Sequence, residues 1–189
     1  MKVKYSDLKN KRVFITGGGS GIGASIVEHF CEQGSEVYFV DINIKETNKL
    51  LKIIKKKRFR KPNFIECNLL DINKLEKIIK KIISTKGPIH ALVNSAANDD
   101  RHTTDQVDEK YWENRMAINL KHYFFAAKAV VKAMKKIKSG SIVNLSSVSW
   151  MLGEGDKVVY ETAKSAVVGL TRSFAQEYGK YNIRTNSVI

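Results

Sequence analysis

A tyrosine and a lysine, Tyr160 and Lys164, stand four positions apart in the last quarter of the chain. On a helix, side chains at this spacing share one face and can meet. A lysine ammonium close to a phenol stabilises the phenolate and lowers the pKa of the tyrosine. Such a tyrosine can exchange a proton with a substrate hydroxyl or carbonyl near neutral pH. Pairs at this spacing are common on solvated surfaces, so the spacing alone does not establish a catalytic site.

Two polar residues earlier in the chain strengthen the catalytic interpretation. Ser147 follows a β-rich run, and a serine at the carboxyl end of a parallel strand can hydrogen-bond a reacting oxygen. Asn119 interrupts a largely apolar helical stretch. It could belong to the same site, or it could be a satisfied amide of the core.

A glycine-rich segment joins the first predicted strand to the first predicted helix. Residues 16–23 read Thr-Gly-Gly-Gly-Ser-Gly-Ile-Gly. Glycines let the backbone turn sharply and approach a pyrophosphate, and the helix that follows offers free N–H groups to the phosphates. A merely flexible turn is the alternative, but a strand-to-helix junction is where dinucleotide binding needs this loop. The predicted contacts are Gly17, Gly19, Ser20, Gly21, Ile22 and Gly23.

Asp41 directly follows the second predicted strand. A carboxylate at this point accepts hydrogen bonds from the adenosine ribose hydroxyls and repels a 2′-phosphate. No arginine or lysine occupies positions 40 or 42–44, where such a residue would favour a phosphorylated cofactor. We therefore predict NAD as the cofactor, with NADP less suitable. A helix-capping role for Asp41 is the alternative.

Apolar periodicity predicts the elements that must position these residues. The predicted strands cover residues 11–16, 36–40, 63–67, 89–93, 141–145 and 183–189. The predicted helices cover 21–33, 45–57, a segment capped by Asp71 and ended by Gly87 and Pro88, 105–138 in two pieces, and 158–178. Strands that alternate with helices imply right-handed crossovers and a parallel sheet covered on both faces. The predicted fold class is α/β: a doubly wound parallel sheet (Rossmann fold) with three αβα layers, ending at the sixth strand, in a single domain over residues 1–189.

Composition limits the partners and the location. The net charge is +14, but the lysines are spread over many helices and only residues 55–61 form a dense basic run. We interpret that run as a solvated helix end, so we expect neither a nucleic-acid nor a membrane partner. The sequence has no apolar segment long enough for a bilayer and no apolar signal core, which predicts a cytoplasmic protein. Cys31 and Cys67 are expected to be reduced core thiols, and no metal site is expected.

Together these motifs resemble the short-chain dehydrogenase/reductase family. The glycine loop, the Asn-Ser-Ala-Ala segment 94–97, Asn119, Ser147 and the Tyr160–Lys164 pair follow the order and spacing of that family. The resemblance implies that Tyr160 is the acid/base and that Ser147 polarises the substrate. It implies that Lys164 lowers the Tyr160 pKa and binds the nicotinamide ribose, and that Asn119 holds a water in a proton relay.

The same resemblance implies further contacts and an assembly. The additional cofactor contacts would be Asn68, Leu69, Asn94 and Ala96, with Asn68 where family members commonly have an aspartate at the adenine. Hydride would pass between the substrate and the nicotinamide. Members of the family usually form homodimers or homotetramers through the two long helices, which are predicted here near residues 105–138 and 158–178.

A narrower resemblance points to bacterial sugar 1-dehydrogenases of the D-xylose 1-dehydrogenase type. It rests on residues 98–102 and 149–164, and those enzymes oxidise the anomeric carbon of an aldose to a lactone with NAD. It implies substrate contacts at Asp99, Ser147, Trp150 and Tyr160. Carboxylates accept hydroxyl protons, and a tryptophan can stack on a sugar face. A charged loop with a local salt bridge remains the alternative for residues 99–102. A non-catalytic NAD-binding protein and a 3-oxoacyl or steroid-type reductase remain open as functions.

The C-terminal end departs from the family pattern. Family members continue past the position of Ile189 with Pro-Gly, a substrate-covering segment and a seventh strand. We therefore expect a C-terminally truncated chain that lacks the lid, with reduced or absent activity.

Overall fold

Six parallel strands form the centre of the structure, a computed structural model that describes residues 3–189. The strands are β1 (Arg12–Thr16), β2 (Glu36–Asp41), β3 (Asn63–Glu66), β4 (Ala91–Asn94), β5 (Gly140–Leu145) and β6 (Ile183–Val188). They lie in the order β3-β2-β1-β4-β5-β6. The order reverses between β1 and β4, and ligands of doubly wound sheets bind at such a switch point. The predicted fold class is confirmed.

Helices cover both faces of the sheet. They are α1 (Gly21–Glu32), α2 (Ile44–Lys56), α3 (Ile72–Lys86), α4 (Glu109–Met116), α5 (His122–Ile137), α6 (Ser149–Leu152) and α7 (Val158–Tyr178). Side chains alternate along β1, so that Val13 and Ile15 pack with α1 and α2 while Phe14 packs with α3, α5 and α7. This alternation on a strand buried on both faces produces the two hydrophobic cores of a three-layer domain.

The region predicted as helix over 105–138 differs most from expectation. Its first α-helix begins only after Asp108, whose side chain accepts a hydrogen bond from the Tyr111 N–H and caps α4. A π-helical turn, Ala117–Lys121, then separates α4 from α5. The short helix α6 was not predicted. The cap of α3 by Asp71 and its end before Gly87 agree with the sequence.

The basic run contributes to the fold as well as to the surface. Lys57 forms an ion pair with Glu28 of α1. The Arg60 guanidinium donates to Asn10 Oδ1 and to the Gly34 carbonyl, both at 2.8 Å. Two members of the run therefore hold the connection between α2 and β3 against the rest of the domain.

The cysteines are buried, as expected, and they are free. Burial raises the pKa of Cys31 to about 12. Within residues 3–189, no helix has the length and apolar character needed to cross a membrane. The same residues contain no cluster of His, Cys, Asp and Glu side chains that could hold a metal ion.

Candidate active site

A cleft of about 560 Å³ opens at the carboxyl ends of β1 to β4. It brings together segments that are far apart in the sequence, as expected at a topological switch point. Its lining residues are Gly17, Ser20–Gly23, Asp41–Asn43, Cys67–Leu69, Ser95–Asp99, Ile118 and Tyr160.

The glycine loop has the tight packing that dinucleotide binding requires. Gly17 has a φ of +70°, and a Cβ there would lie 2.5 Å from the Ala96 Cα. A Cβ on Gly23 would lie 1.9 Å from the Gly17 carbonyl oxygen. The Ser20 hydroxyl makes no capping hydrogen bond to α1. The first N–H groups of α1 are therefore left for a ligand on the cleft side, which fits a pyrophosphate.

Asp41 is fixed in orientation at the end of β2. Its Oδ2 accepts from the Gly19 N–H and its Oδ1 from the Asn43 N–H, both at 2.8 Å. Gly19 is buried behind the carboxylate, and a Cβ on Gly19 would lie 2.7 Å from Asp41 Cγ. Gly19 thus orients Asp41 from behind, whereas Asp41 itself lines the cleft.

Asn68 and Leu69, two predicted cofactor contacts, both line the cleft. The Asn68 side-chain oxygen accepts a hydrogen bond from the Leu70 N–H at 3.0 Å. An amide oxygen has a second lone pair, so this turn leaves it able to accept another bond.

Lys164 lies deep beneath Tyr160 on α7. The residue is 1% exposed, and its ammonium donates to the Tyr123 hydroxyl at 2.8 Å and to the Leu145 carbonyl at 2.7 Å. The Lys164 Nζ lies 5.5 Å from the centre of the Tyr160 ring. Burial lowers the pKa of Lys164 to about 8. The two side chains share one end of α7, as their spacing predicted.

The predicted lowering of the Tyr160 pKa by Lys164 stays a prediction, and burial acts in the opposite direction. Burial raises the pKa of Tyr160, and the hydrogen bond from Ser147 lowers it only in part. Because the Lys164 ammonium donates to Tyr123 and Leu145, it faces the phenol as a charge 5.5 Å from the ring centre.

Ser147 lies between β5 and α6, within hydrogen-bonding reach of Tyr160. Its hydroxyl is 2.9 Å from the Ser149 hydroxyl and accepts from the Ser149 N–H at 3.2 Å. Ser149 is 2% exposed and was not singled out from the sequence. It fixes Ser147 in place next to the phenol.

Asn119 lies in the π-helical turn and is fully buried. Its Oδ1 accepts from the Asn98 N–H at 2.8 Å, and its Nδ2 donates to the Asn98 carbonyl at 2.9 Å. The amide is therefore committed to the backbone of the loop after β4. Its role in a water-mediated proton relay stays a prediction.

Asn94 lies below the cleft instead of on its wall. It is fully buried, and its Nδ2 donates to Asn144 Oδ1 at 2.9 Å. The Asn144 Nδ2 donates in turn to the Thr171 hydroxyl at 2.9 Å. The side chain of Asn94 thus supports the site by joining β4 to β5 and α7. In the sequence, this network could have been found from Asn144 and Thr171, two polar residues within apolar segments.

The loop after β4 is held to the start of α7 by a set of contacts that we call the rim clamp, centred on His102. The His102 N–H donates to the Asp156 carbonyl at 2.7 Å, and its Nε2 accepts from the Val159 N–H at 3.3 Å. Its Nδ1 lies 2.8 Å from the Tyr111 hydroxyl. Arg101 forms an ion pair with Asp156, in agreement with the local salt bridge considered from the sequence.

Asp99 and Trp150, two of the tentative substrate residues, differ in their surroundings. Asp99 is exposed on the cleft. Its charge raises the pKa of Tyr160 in the same direction as burial, and it raises the pKa of Lys164 against the larger lowering by burial. Trp150 is half-buried in α6, and its indole Nε1 is buried without a hydrogen-bond partner within residues 3–189. Trp150 is not among the described residues that line the cleft, so its role as a substrate contact stays a prediction.

Comparison with known proteins agrees with this geometry. The family described as short chain dehydrogenase matches residues 11–189. D-xylose 1-dehydrogenase of Caulobacter vibrioides is 40% identical over 185 residues, which cover 98% of this chain and 73% of that protein. A probable galactose dehydrogenase of Rhizobium meliloti is 37% identical over 186 residues, again 98% and 73%. The ligand-free structure of Thermoplasma acidophilum aldohexose dehydrogenase superposes with a TM-score of 0.85 at 31% identity, and the match covers 97% of this chain and 67% of that one.

The matched span includes the glycine loop, Ser147 and the Tyr160–Lys164 pair. The glycine loop and Tyr160 line one cleft, and Ser147 and Lys164 lie next to Tyr160. This chain therefore belongs to the short-chain dehydrogenase family, and it is an oxidoreductase that acts on CH–OH groups with a nicotinamide cofactor.

Proposed function

We propose that this protein is an NAD-dependent dehydrogenase that oxidises the anomeric carbon of an aldose to the lactone. The observation that carries the proposal is that one cleft is lined by Asp41, Asp99 and Tyr160. It therefore combines a carboxylate for a ribose, a carboxylate for substrate hydroxyls and a phenol for proton transfer. The two sugar dehydrogenases similar to this chain support the substrate class.

The residues of the chain divide the chemistry among themselves. A bound nicotinamide supplies the acceptor for the hydride that leaves the anomeric carbon. Tyr160 takes the proton of the anomeric hydroxyl, and the Ser147 hydroxyl donates to the same oxygen. The buried Lys164 ammonium supplies positive charge below the phenol, in surroundings where charges are poorly screened.

The aldose proposal is tested with purified protein, NAD and a panel of aldoses, by following the absorbance of the reduced cofactor. We expect turnover of at least one aldose and its loss in Tyr160→Phe. Turnover of a 3-oxoacyl or steroid substrate, with none of any aldose, would contradict the proposal. Thermal stabilisation by NAD without turnover, unchanged in Tyr160→Phe, would instead establish a non-catalytic binding protein.

The preference for NAD rests on Asp41. Its charge is held at the end of β2 by two backbone N–H groups, where it would accept from ribose hydroxyls and repel a 2′-phosphate. We expect Asp41→Ala to shift the ratio of kcat/KM values by roughly tenfold or more towards NADP, since 1.4 kcal/mol corresponds to a factor of ten. An unchanged ratio would show that Asp41 does not select the cofactor.

A homo-oligomer formed through α5 and α7 belongs to the same proposal. The two helices share an apolar surface groove, and Phe124 on it is 42% exposed. Exposed apolar surface of this kind is typical of subunit interfaces. Phe124→Glu should lower the mass measured by light scattering to that of a monomer, whereas the control Phe124→Leu should not. A wild-type monomer would contradict this assembly.

We place the enzyme in the cytoplasm. Its two free thiols are compatible with a reducing compartment.

A further inference from the structure

Tyr123 is a buried tyrosine of α5 that no sequence motif singled out. It is fully buried, and its hydroxyl lies 2.8 Å from the Lys164 Nζ and 3.0 Å from the Leu145 carbonyl oxygen. Its ring also contacts the His122 ring, at 4.4 Å between ring centres. The hydroxyl thus lies between the catalytic lysine and the end of β5.

The direction of each hydrogen bond follows from the groups involved. An ammonium has three hydrogens and no acceptor, so Lys164 must donate to the phenol oxygen. A carbonyl can only accept, so the Tyr123 hydroxyl hydrogen points towards the Leu145 carbonyl at 3.0 Å and the Ala96 carbonyl at 3.4 Å. A lone pair of the Tyr123 oxygen then faces Lys164. Burial raises the pKa of Tyr123, which keeps the phenol neutral in this arrangement.

Two of the three Lys164 hydrogens are accounted for by Tyr123 and Leu145. Both acceptors lie on the side of α5 and β5, so they fix the ammonium there and leave one hydrogen for the side of the cleft. A long, flexible side chain needs such partners to keep one position when it is buried.

We propose that Tyr123 is a positioning residue for catalysis: its phenol oxygen holds the Lys164 ammonium in the orientation that serves Tyr160 and the nicotinamide ribose. This proposal rests on the proposed function for its kinetic readout, but its binding readout does not require an aldose. The alternative is that Tyr123 only fills space between α5, β5 and α7.

The test compares the wild type with Tyr123→Phe, which keeps the ring and removes the acceptor. A hydrogen bond to a charged group is lost, so we expect kcat to fall roughly ten- to hundred-fold and the Kd for NAD to rise several-fold. Tyr178→Phe is the matched control, because Tyr178 is a buried tyrosine that packs on Phe174. It should leave kcat and the NAD Kd unchanged.

The pH profile of kcat separates positioning from packing. If the charged form of Lys164 is required, the pH profile of kcat has a limb at the Lys164 pKa of about 8. Loss of the Tyr123 acceptor disfavours the charged form, so this Lys164 limb should move to lower pH in Tyr123→Phe. The other titratable groups around this ammonium, which the variant keeps, are Asp99, His122 and Tyr160.

Each outcome decides the proposal. An unmoved Lys164 limb, with or without a lower kcat, overturns it, because general loosening would not change the titration of Lys164. If no aldose is turned over, the proposed function fails, and an NAD Kd raised in Tyr123→Phe but not in Tyr178→Phe still supports the role of Tyr123. If Tyr123→Phe does not fold, Tyr123→Gln and Tyr123→Met make the same comparison, since only the glutamine retains an acceptor oxygen.

Discussion

The carboxylate of Asp99 has two effects on the catalytic residues. It lies on the cleft, where it can accept hydrogen bonds from substrate hydroxyls. Its charge also adds to the burial that raises the Tyr160 pKa and acts against the burial that lowers the Lys164 pKa. One residue therefore influences both substrate binding and proton transfer.

Asp99→Asn should move both limbs of the pH profile of kcat to lower pH. The pKa of Tyr160 falls when the negative charge is removed, and so does that of Lys164, because each was raised by that charge. Both shifts should be smaller at high salt, since an exposed charge is screened by salt, and the KM for the aldose should rise. Asp105→Asn, which removes an exposed charge elsewhere in the same loop region, is the control. A profile identical to wild type would show that Asp99 does not act on the pair.

At the scale of residues, the sequence predicted which side chains meet but not all of their partners. The positions of Tyr160, Lys164 and Ser147 followed from motif and spacing. Tyr123 could not be predicted, because a tyrosine in an apolar helix is usually part of the core. The partners of Asn94 and Lys164 depend on how α5 and α7 pack on β5, which local sequence does not specify.

Among the elements, β4, β5 and α7 are joined by hydrogen bonds between the buried side chains of Asn94, Asn144 and Thr171, which we call the buried amide network. All three side chains are at most 5% exposed. A buried amide needs its partners, since an unsatisfied polar group costs about 1–3 kcal/mol. The buried amide network therefore aligns the helix that carries Tyr160 with the sheet.

Asn144→Ala should lower the free energy of unfolding by about 1–3 kcal/mol, because it leaves Asn94 and Thr171 without their partner. Denaturant unfolding followed by circular dichroism measures the loss. Thr185→Val is the matched control in the neighbouring strand, since the buried Thr185 hydroxyl has no hydrogen-bond partner within the described part of the chain. It should not destabilise the protein. Equal stability of Asn144→Ala and the wild type would show that the buried amide network does not stabilise the fold.

The rim clamp acts between elements as well, because His102 bonds to the N–H of Val159, the residue before Tyr160. His102→Ala should lower kcat/KM roughly ten- to hundred-fold, since small displacements of a catalytic group have effects of this size. His102→Gln should recover part of the activity, because its amide oxygen can accept the same bond. Unchanged kinetics in His102→Ala would mean that α7 holds Tyr160 without the clamp.

The elements themselves were largely predictable. Alternating apolar patterns gave the strands and helices, and Asp71 and Gly87 marked the ends of α3. The sequence predicted two helical pieces over residues 105–138 but not the π-helical turn between them, because no glycine or proline marks the break and the extra residue is accommodated by tertiary packing.

At the scale of the whole molecule, the buried histidine His122 makes the stability of the fold sensitive to acid. It is fully buried beside the Thr16 hydroxyl, 3.2 Å from its Nε2, and burial lowers its pKa to about 3. The unfolded chain binds a proton at this histidine near its ordinary pKa of 6.5, whereas the folded protein does not. Stability therefore falls as the pH drops from about 6.5 towards 3.

His122→Gln should flatten this dependence. The variant is expected to be less stable than the wild type at pH 7, because a buried contact is changed, but to lose less further stability between pH 7 and pH 5. Denaturant unfolding at both pH values gives the comparison, and His29→Gln serves as the control on the exposed side of α1. An equal loss in His122→Gln and the wild type would exclude His122 as the source.

The π-helical turn also limits how this protein can change in length. On one side of it α4 contacts α7, and on the other α5 contacts α3. A π-helical turn contains about one residue more than the α-helical turn it replaces, so deleting one residue from Ala117–Lys121 would leave α4 and α5 facing almost as before. A deletion within α4 or α5 has no such outlet and would rotate one helical contact relative to the other by roughly 100°. A change of one residue in length is therefore tolerated at this turn better than in the helices beside it, although it would disturb the loop that Asn119 holds.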